Sequence, residues 1–435
     1  MDGKTLALLY KTVQDNNILP ITTICNVRCA FCSHHQNPPE VQTIAIPHLD
    51  FDLILDLLDY LDGSRKIIIG ESTSLIMEGE PFTHPAFFET LEAIRRKFPQ
   101  TSIQVTTNGT WLTEENIIRL QKLEPLELIF SLNACHPQVR RVLMADQRAL
   151  TACAAPPLLK QYGIHYHGSI VAMPHLTGWE ELEQTVQYLH ENHARTIRIF
   201  QPGYTRLTKT ELIPDVEVFQ RLQRNTIRWQ QEGIPVTLEP QSMYTLDAVV
   251  EAVIAGSPAQ QAGLVSGDLL LQIDGRRPFS RADAFAVLRE NGVHQLQWRR
   301  QAQLLKGAIT ITHQFSGLVM YYDLQRSELQ QLERLAADGR QYVMLCSQLG
   351  APAWQAAGVP ENVQIYIAEN RYFGGNIQAA GLLTISDFQY TLEQITAPYD
   401  AVILPAIAFN DSDNDLAGQS LFSWSQQSEA ELILF

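Results

Sequence analysis

The sequence predicts an α/β protein: a parallel sheet covered by helices, then a small β-rich domain, then a second α/β domain. Three observations carry that expectation. Between about residues 18 and 240, short β-branched runs alternate with amphipathic stretches, and strand–helix alternation means parallel strands. Around residue 243 the texture changes to short apolar runs punctuated by Gly, Ser and Pro. Inside that region Asp274-Gly275 follows an alternating run, which is a strong hairpin signal. The expected boundaries are 1–242, 243–312 and 313–435.

Taken in order, the strands are expected at Leu19–Ile24, Lys66–Gly70, Ser102–Thr106, Leu126–Leu132, His165–Ala172 and Thr196–Phe200, with a weaker seventh at Pro235–Leu238. Helices are expected at Phe51–Leu61, Pro85–Lys97, Glu114–Lys122, Trp179–Glu191 and Val216–Gln231. Proline suits the first turn of the second of these, where its missing N–H is no loss. Thr113 caps the third, with Glu114 and Glu115 in the first turn. Glu71–Ile76 reads as an insertion. In sheets of this kind the chemistry sits at the carboxyl ends of the strands, so the residues just after each strand are the candidates.

A chain of 435 residues is too long for one ordinary core. Apolar content of 45% with 18% charged residues is that of a globular protein. The net charge of −15 is spread along the chain and argues against nucleic acid as a partner. Met1-Asp2-Gly3-Lys4 lacks signal-peptide design, and the longest apolar run, Ala401–Phe409, is too short to span a bilayer. Six cysteines with three in one cluster do not make a disulfide framework. A cytoplasmic protein with no membrane partner is expected.

Those three cysteines, Cys25, Cys29 and Cys32, are spaced C-x3-C-x2-C after the first apolar run. One tight loop can aim three thiolates at a single centre. Thiolates are the usual ligands of iron–sulfur clusters, and three of them leave one iron of a four-iron cubane open to a small molecule. The bland alternatives are structural zinc, with His34 or His35 as fourth ligand, and plain core packing. Zinc sites usually pair cysteines as C-x2-C with a second pair elsewhere, and no second pair exists here.

The motif, with Phe31 before the last cysteine, resembles the signature of the radical S-adenosylmethionine (radical SAM) superfamily. The resemblance implies an open (βα)6 barrel, a [4Fe-4S] cluster, and S-adenosyl-L-methionine (SAM) chelated to the open iron. It also implies oxygen sensitivity and a reducing flavodoxin- or ferredoxin-type partner. Gly79-Glu80-Pro81 resembles the superfamily's "GGEP" element, whose backbone carbonyls receive the cofactor's ammonium group; Glu78 stands where its first glycine would be. Thr107-Asn108-Gly109 resembles the "TNG" turn. By the same resemblance Ser131 and Asn133 lie near the cofactor's carboxylate or ribose, and Ile197–Gly203 flanks the adenine.

Cys135 stands outside these motifs. A thiol in the barrel mouth can return a hydrogen atom to a substrate radical, ligate a second cluster or carry a methyl group; free cysteines are more often inert. His34, His35, His84, His136, His165 and His167 are all expected near strand ends.

Residues 249–275, with Gly256-Ser257-Pro258-Ala259, Gly267-Asp268 and Asp274-Gly275, resemble a PDZ domain, although the loop that holds a peptide carboxylate is not evident. PDZ domains bind peptide termini by strand addition. From about 316 onward, Tyr372–Ile377, Ala380–Thr384, Ile403–Pro405 and Asp415–Gly418 resemble a domain of unknown function that accompanies PDZ and radical SAM domains. The expected function is hydrogen abstraction from a small-molecule or peptide substrate, in metallocofactor biosynthesis or peptide modification. The rival is a non-catalytic zinc or iron–sulfur adaptor that binds proteins.

Overall fold

The computed structural model describes residues 1–41, 43–71, 75–410 and 412–435. It separates into two compact units: 1–32, 42–202 and 214–219 form the first, and 33–41, 203–213 and 220–435 form the second. Three residues of the expected 71–76 insertion, 72–74, lie outside the described set.

The first unit opens with helix α1 (Gly3–Asn16), capped by Asp2, whose carboxylate accepts from Thr5 N at 2.7 Å. Then α2 (Phe51–Leu57) leads to β1 (Ile67–Ile69), α3 (Phe87–Lys97), β2 (Ile103–Thr107), α4 (Glu114–Gln121) and β3 (Leu126–Ser131). After β3 come α5 (Pro137–Met144), α6 (Ala149–Gln161), β4 (His165–Val171), the single turn α7 (Pro174–Thr177), α8 (Trp179–Glu191) and β5 (Ile197–Phe200). Each strand pairs in parallel with the next, from β1 to β5. Their inward residues, such as Val105, Leu128, Phe130 and Ile170, are fully buried, as expected where helices cover a parallel sheet.

Three segments differ from the expectation. Leu19–Ile24 is not a strand. Leu19 N donates to Ile68 O at 2.8 Å, but the segment then pairs elsewhere: Thr23 N turns to Ile46 O at 3.2 Å, and Ile21 O accepts from Leu49 N at 3.0 Å. The helix expected from Pro85 starts at Phe87, because His84 Nδ1 accepts from Ala86 N at 3.1 Å and holds an extra turn. Residues 137–161 carry α5 and α6, which the sequence reading passed over.

Helix α9 (Val216–Gln231) runs into the second unit, followed by β6 (Val236–Glu239). The expected hairpin region is a three-stranded antiparallel sheet of β8 (Leu269–Ile273), β9 (Gly292–Arg300) and β10 (Gln303–Ile311), after β7 (Ala252–Val253) and the short α10 (Pro258–Gln261). Asp274 and Gly275 take positive φ values of 51° and 77°, the tight-turn geometry expected of Asp-Gly. With α11 (Arg281–Val287) and β11 (Leu318–Val319), this region closes over Val250, Leu264, Trp298 and Ile309. Asp268, fully buried, takes a forked ion pair from Arg300 at 2.8 and 2.7 Å.

The last region is a parallel sheet in the order β13-β12-β14-β15: β12 (Tyr342–Ser347), β13 (Val363–Ala368), β14 (Ala401–Leu404) and β15 (Glu431–Leu434). It is flanked by α12 (Arg326–Ala336), α13 (Ala351–Ala357), α14 (Ile385–Leu392) and α15 (Leu421–Ser425). Alternate residues of β12 feed two cores, Val343 and Leu345 on one face, Met344 and Cys346 on the other. The Tyr372–Ile377 loop grips another segment of the same unit: Arg206 N donates to Phe373 O at 2.8 Å, and Tyr204 N to Asn376 Oδ1 at 2.7 Å. Thr205 Oγ1 in turn donates to Gln36 O at 2.6 Å. No helix among the described residues is long and apolar enough to cross a membrane.

Candidate functional site

The cysteine loop is held from three sides of the first unit. On one side Glu80 N donates to Ile24 O at 2.9 Å. A Cβ on Gly79 would lie 2.6 Å from the carbonyl carbon of Thr23, so glycine is needed for close backbone approach. On the second side Asn108 Nδ2 donates to Asn26 Oδ1 at 3.0 Å and points at Cys25 Sγ at 3.9 Å, while Asn26 Nδ2 reaches Thr110 Oγ1 at 2.9 Å. On the third, the end of α5 accepts from the loop: Arg28 N to Met144 O and Ala30 N to Leu143 O, both 2.8 Å.

Glu80 ties the first two sides together. It is 2% exposed and accepts from Thr107 Oγ1 at 2.8 Å and Asn108 N at 2.6 Å. Burial pushes its carboxyl up to about 7, against the pull of those donors and of Arg140. Its oxygens are thus engaged inside the protein, while Pro81, buried, opens the turn Pro81–Thr83. Gly109 has φ 79°, and a Cβ there would meet the Phe130 ring at 2.1 Å.

Arg140 is the residue the sequence reading missed. It is fully buried, pairs with Asp146 through Nε at 2.6 Å, and donates to the carbonyls of Ser131, Leu132 and Asn108. No motif marks it; an arginine in a short amphipathic helix reads as surface. Asn133 also turns inward: at φ 61° its Oδ1 accepts from Val171 N at 2.8 Å and its Nδ2 donates to Ser131 O at 3.2 Å. Ser131 is half-buried at the end of β3. Phe31 is half-buried beside Cys32, whose N donates to Cys29 O at 3.1 Å.

Cys25 is exposed, and Cys29 and Cys32 are half-buried. Cys29 is pushed up to about 12, first by burial and then by Cys25 and Cys32. Cys25 moves the same way, chiefly by desolvation despite an exposed surface, with Glu80 and Cys32 adding. Thiolates this close are unfavourable without a cation between them, and a metal centre supplies one. Among the described residues, one set of three His, Cys, Asp or Glu ligand atoms lies within 4.8 Å of one another, and it is Cys135, His136 and Glu181. Cys25, Cys29 and Cys32 do not form such a set.

Cys135 belongs to different surroundings. Its N donates to Thr185 Oγ1 of α8 at 3.0 Å, its Sγ lies 3.5 Å from His136 Nδ1, and burial followed by Glu181 pushes its thiol up to about 11. The other expected histidines scatter. His84 is used structurally, with Nε2 against Leu49 O at 2.9 Å. His165 and His167 lie at the amino end of β4, not the carboxyl end. His34 and His35 fall in the segment belonging to the second unit. Cys153 and Cys346 are buried, both pushed by burial to about 12.

Comparison with known proteins meets this geometry. Residues 19–189 match the radical SAM superfamily. That match covers less than half of the chain. Residues 249–300 match the PDZ domain. The FeMo cofactor biosynthesis protein NifB of Chlorobaculum tepidum is 25% identical over 178 residues, 36% of this chain and 40% of that protein. The antilisterial bacteriocin subtilosin biosynthesis protein AlbA of Bacillus subtilis is 27% identical over 146 residues, 33% of this chain and 30% of that one. The chain therefore spans less than half of either relative's length. Among solved structures, Streptococcus suis SuiB bound to precursor peptide SuiA aligns with a TM-score of 0.40 and 15% identity, over 51% of this chain and 48% of that one. A [4Fe-4S] cluster and SAM are the cofactors of the radical SAM superfamily, and three cysteines on one braced loop fit the cluster.

Proposed function

We propose that this protein is a radical SAM enzyme whose cluster is held by Cys25, Cys29 and Cys32. Those three cysteines would hold the cluster, which when bound would supply the electron for reductive cleavage of SAM and so for hydrogen abstraction from a substrate. The observation that carries this reading is the clamping of the cysteine loop between the Gly79–Pro81 and Thr107–Gly109 segments. In this reading those two segments, with Ser131 and Asn133, line the SAM site.

The chain's own residues position and tune. Asn108 directs a side-chain dipole at Cys25 Sγ, and a donor aimed at a ligating sulfur tunes the metal. The charge of Arg140 lowers the cost of negative charge on Cys29. Glu80 fixes the backbone of Asn108, so its buried carboxylate keeps the two cofactor-facing loops in register. The relatives' names favour two substrate classes, a metallocofactor precursor and a peptide. The PDZ domain gives the second a docking element, and a flavodoxin- or ferredoxin-type protein supplies electrons.

The test is direct. Protein purified and reduced without oxygen, then given SAM, should release 5′-deoxyadenosine in an amount that tracks its iron content. No release from iron-replete protein would overturn the proposal and leave a metal-binding adaptor.

A further inference from the structure

We infer that Cys135, His136 and Glu181 form a second metal site, of the zinc class, that uses none of the residues of the cysteine loop. It goes beyond the radical SAM reading and does not depend on it.

Sequence alone gives only a Cys-His pair after β3. The fold brings up Glu181 from the first turn of α8, and the three ligand atoms then lie within 4.8 Å of one another. Both partners converge on one nitrogen. Cys135 Sγ is 3.5 Å from His136 Nδ1, and Glu181 Oε2 is 2.6 Å from that same atom. A thiol–imidazole–carboxylate relay needs its partners on opposite ring nitrogens, so this geometry is not a nucleophile's. It suits a shared cation. With Zn–S near 2.3 Å and Zn–N near 2.05 Å, a tetrahedral ion sets sulfur and nitrogen about 3.5 Å apart. The carboxylate edge must open from its hydrogen-bonded distance to roughly 3.3 Å, a small side-chain rotation.

The surroundings already hold the ligands. Glu181 Oε1 accepts from His136 N at 3.0 Å, which leaves Oε2 as the ligating oxygen. Thr185 Oγ1 takes the N–H of Cys135 and donates to Glu181 O at 2.8 Å, joining the same two elements a second time. Such outer hydrogen bonds orient metal ligands. The His136 side chain is 52% exposed and Glu181 is 7% exposed, so the set has one face open to solvent and one carboxylate fixed below it. Thiolate, imidazole and carboxylate together favour zinc among common divalent ions. Three protein ligands leave a fourth position for water or another donor.

The test uses the full-length chain. A Cys25→Ala, Cys29→Ala, Cys32→Ala parent removes the cluster's absorption and its competing thiols. Cobalt(II) chloride should give that parent a thiolate charge-transfer band in the near ultraviolet, and zinc chloride should displace it at one equivalent. Cys135→Ser and His136→Asn, made in the parent, should each abolish the band and weaken zinc binding by more than about 100-fold, since even outer-shell partners are worth about 10–100-fold. Circular dichroism checks folding, and His136, being exposed, tolerates substitution if Cys135 does not. Zinc affinity unchanged in either variant that folds, or no stoichiometric zinc in the parent, overturns the inference.

Discussion

Two carboxylates at opposite ends of one sheet, Glu80 buried and Glu127 half-buried, behave in opposite ways. At the amino end, Glu127 in β3 is flanked by Lys66 and by His167 Nε2 at 3.7 Å. Burial would raise its carboxyl, but those two partners pull it down to about 2. At the carboxyl end, Glu80 meets mostly neutral donors, and burial carries it up to about 7. Charge at the first end is compensated and serves stability. At the second it lies beside Cys25, whose thiol, like that of Cys29, burial also pushes up. In βα-barrels the carboxyl end is where function sits, and here the electrostatics of the protein alone distinguish the two ends.

Four substitutions test that division, in decreasing order of expected effect. Cys29→Ala should remove the cluster and reduce 5′-deoxyadenosine release by at least about 1000-fold, as befits a group that carries the chemistry, with iron content read in parallel. Arg140→Met should cost roughly 3–5 kcal/mol, because Asp146 is left buried without its cation. The first thermal transition should fall, and iron should be lost with it.

Glu127→Gln should cost about 3 kcal/mol at neutral pH, following from a carboxyl held roughly two units below its ordinary value. The sign is that of a lowered carboxyl: the contribution is complete above about pH 4.5 and disappears as pH falls toward 2. The variant's stability should therefore lose its acid limb while SAM cleavage per iron stays the same. A large drop in cleavage would break the comparison.

Glu80→Gln is the mirror image. A raised carboxyl stabilises fully below about pH 4.5 and loses that contribution as pH rises through about 7. The unmodified protein should thus show a stability decline between pH 5 and 8 that the variant lacks. Replacing one acceptor oxygen with an amide also leaves Thr107 or Asn108 N without a partner, at about 1–3 kcal/mol. Cleavage should slow by roughly 10-fold, as for other residues that orient a metal's surroundings.

Much of this site was legible as spacing. C-x3-C-x2-C, Gly79-Glu80-Pro81 and Thr107-Asn108-Gly109 are contiguous motifs, and the structure brings all three together around one loop. What was not legible is which atom each residue offers. Glu80 turns its carboxylate into the protein, and Asn133 uses its amide between β3 and β4. Arg140, with no motif, joins α5 to the Asn108 turn. Cys135 was visible as a lone thiol, but Glu181, which reaches His136 beside it across 45 residues, was not.

By itself the sequence determined the elements that rest on local rules. These are the strand–helix alternation, the Thr113 cap, the Asp274-Gly275 turn and the three thiols within eight residues. Each depends on neighbours in the chain, so spacing is enough. Tertiary structure alone decided that Leu19–Ile24 leaves the sheet, that Tyr204–Arg206 is gripped by the Tyr372–Ile377 loop, and that Glu80 and Glu127 titrate in opposite directions. Burial and charge compensation come from groups distant in sequence, and no local pattern encodes the distance between them.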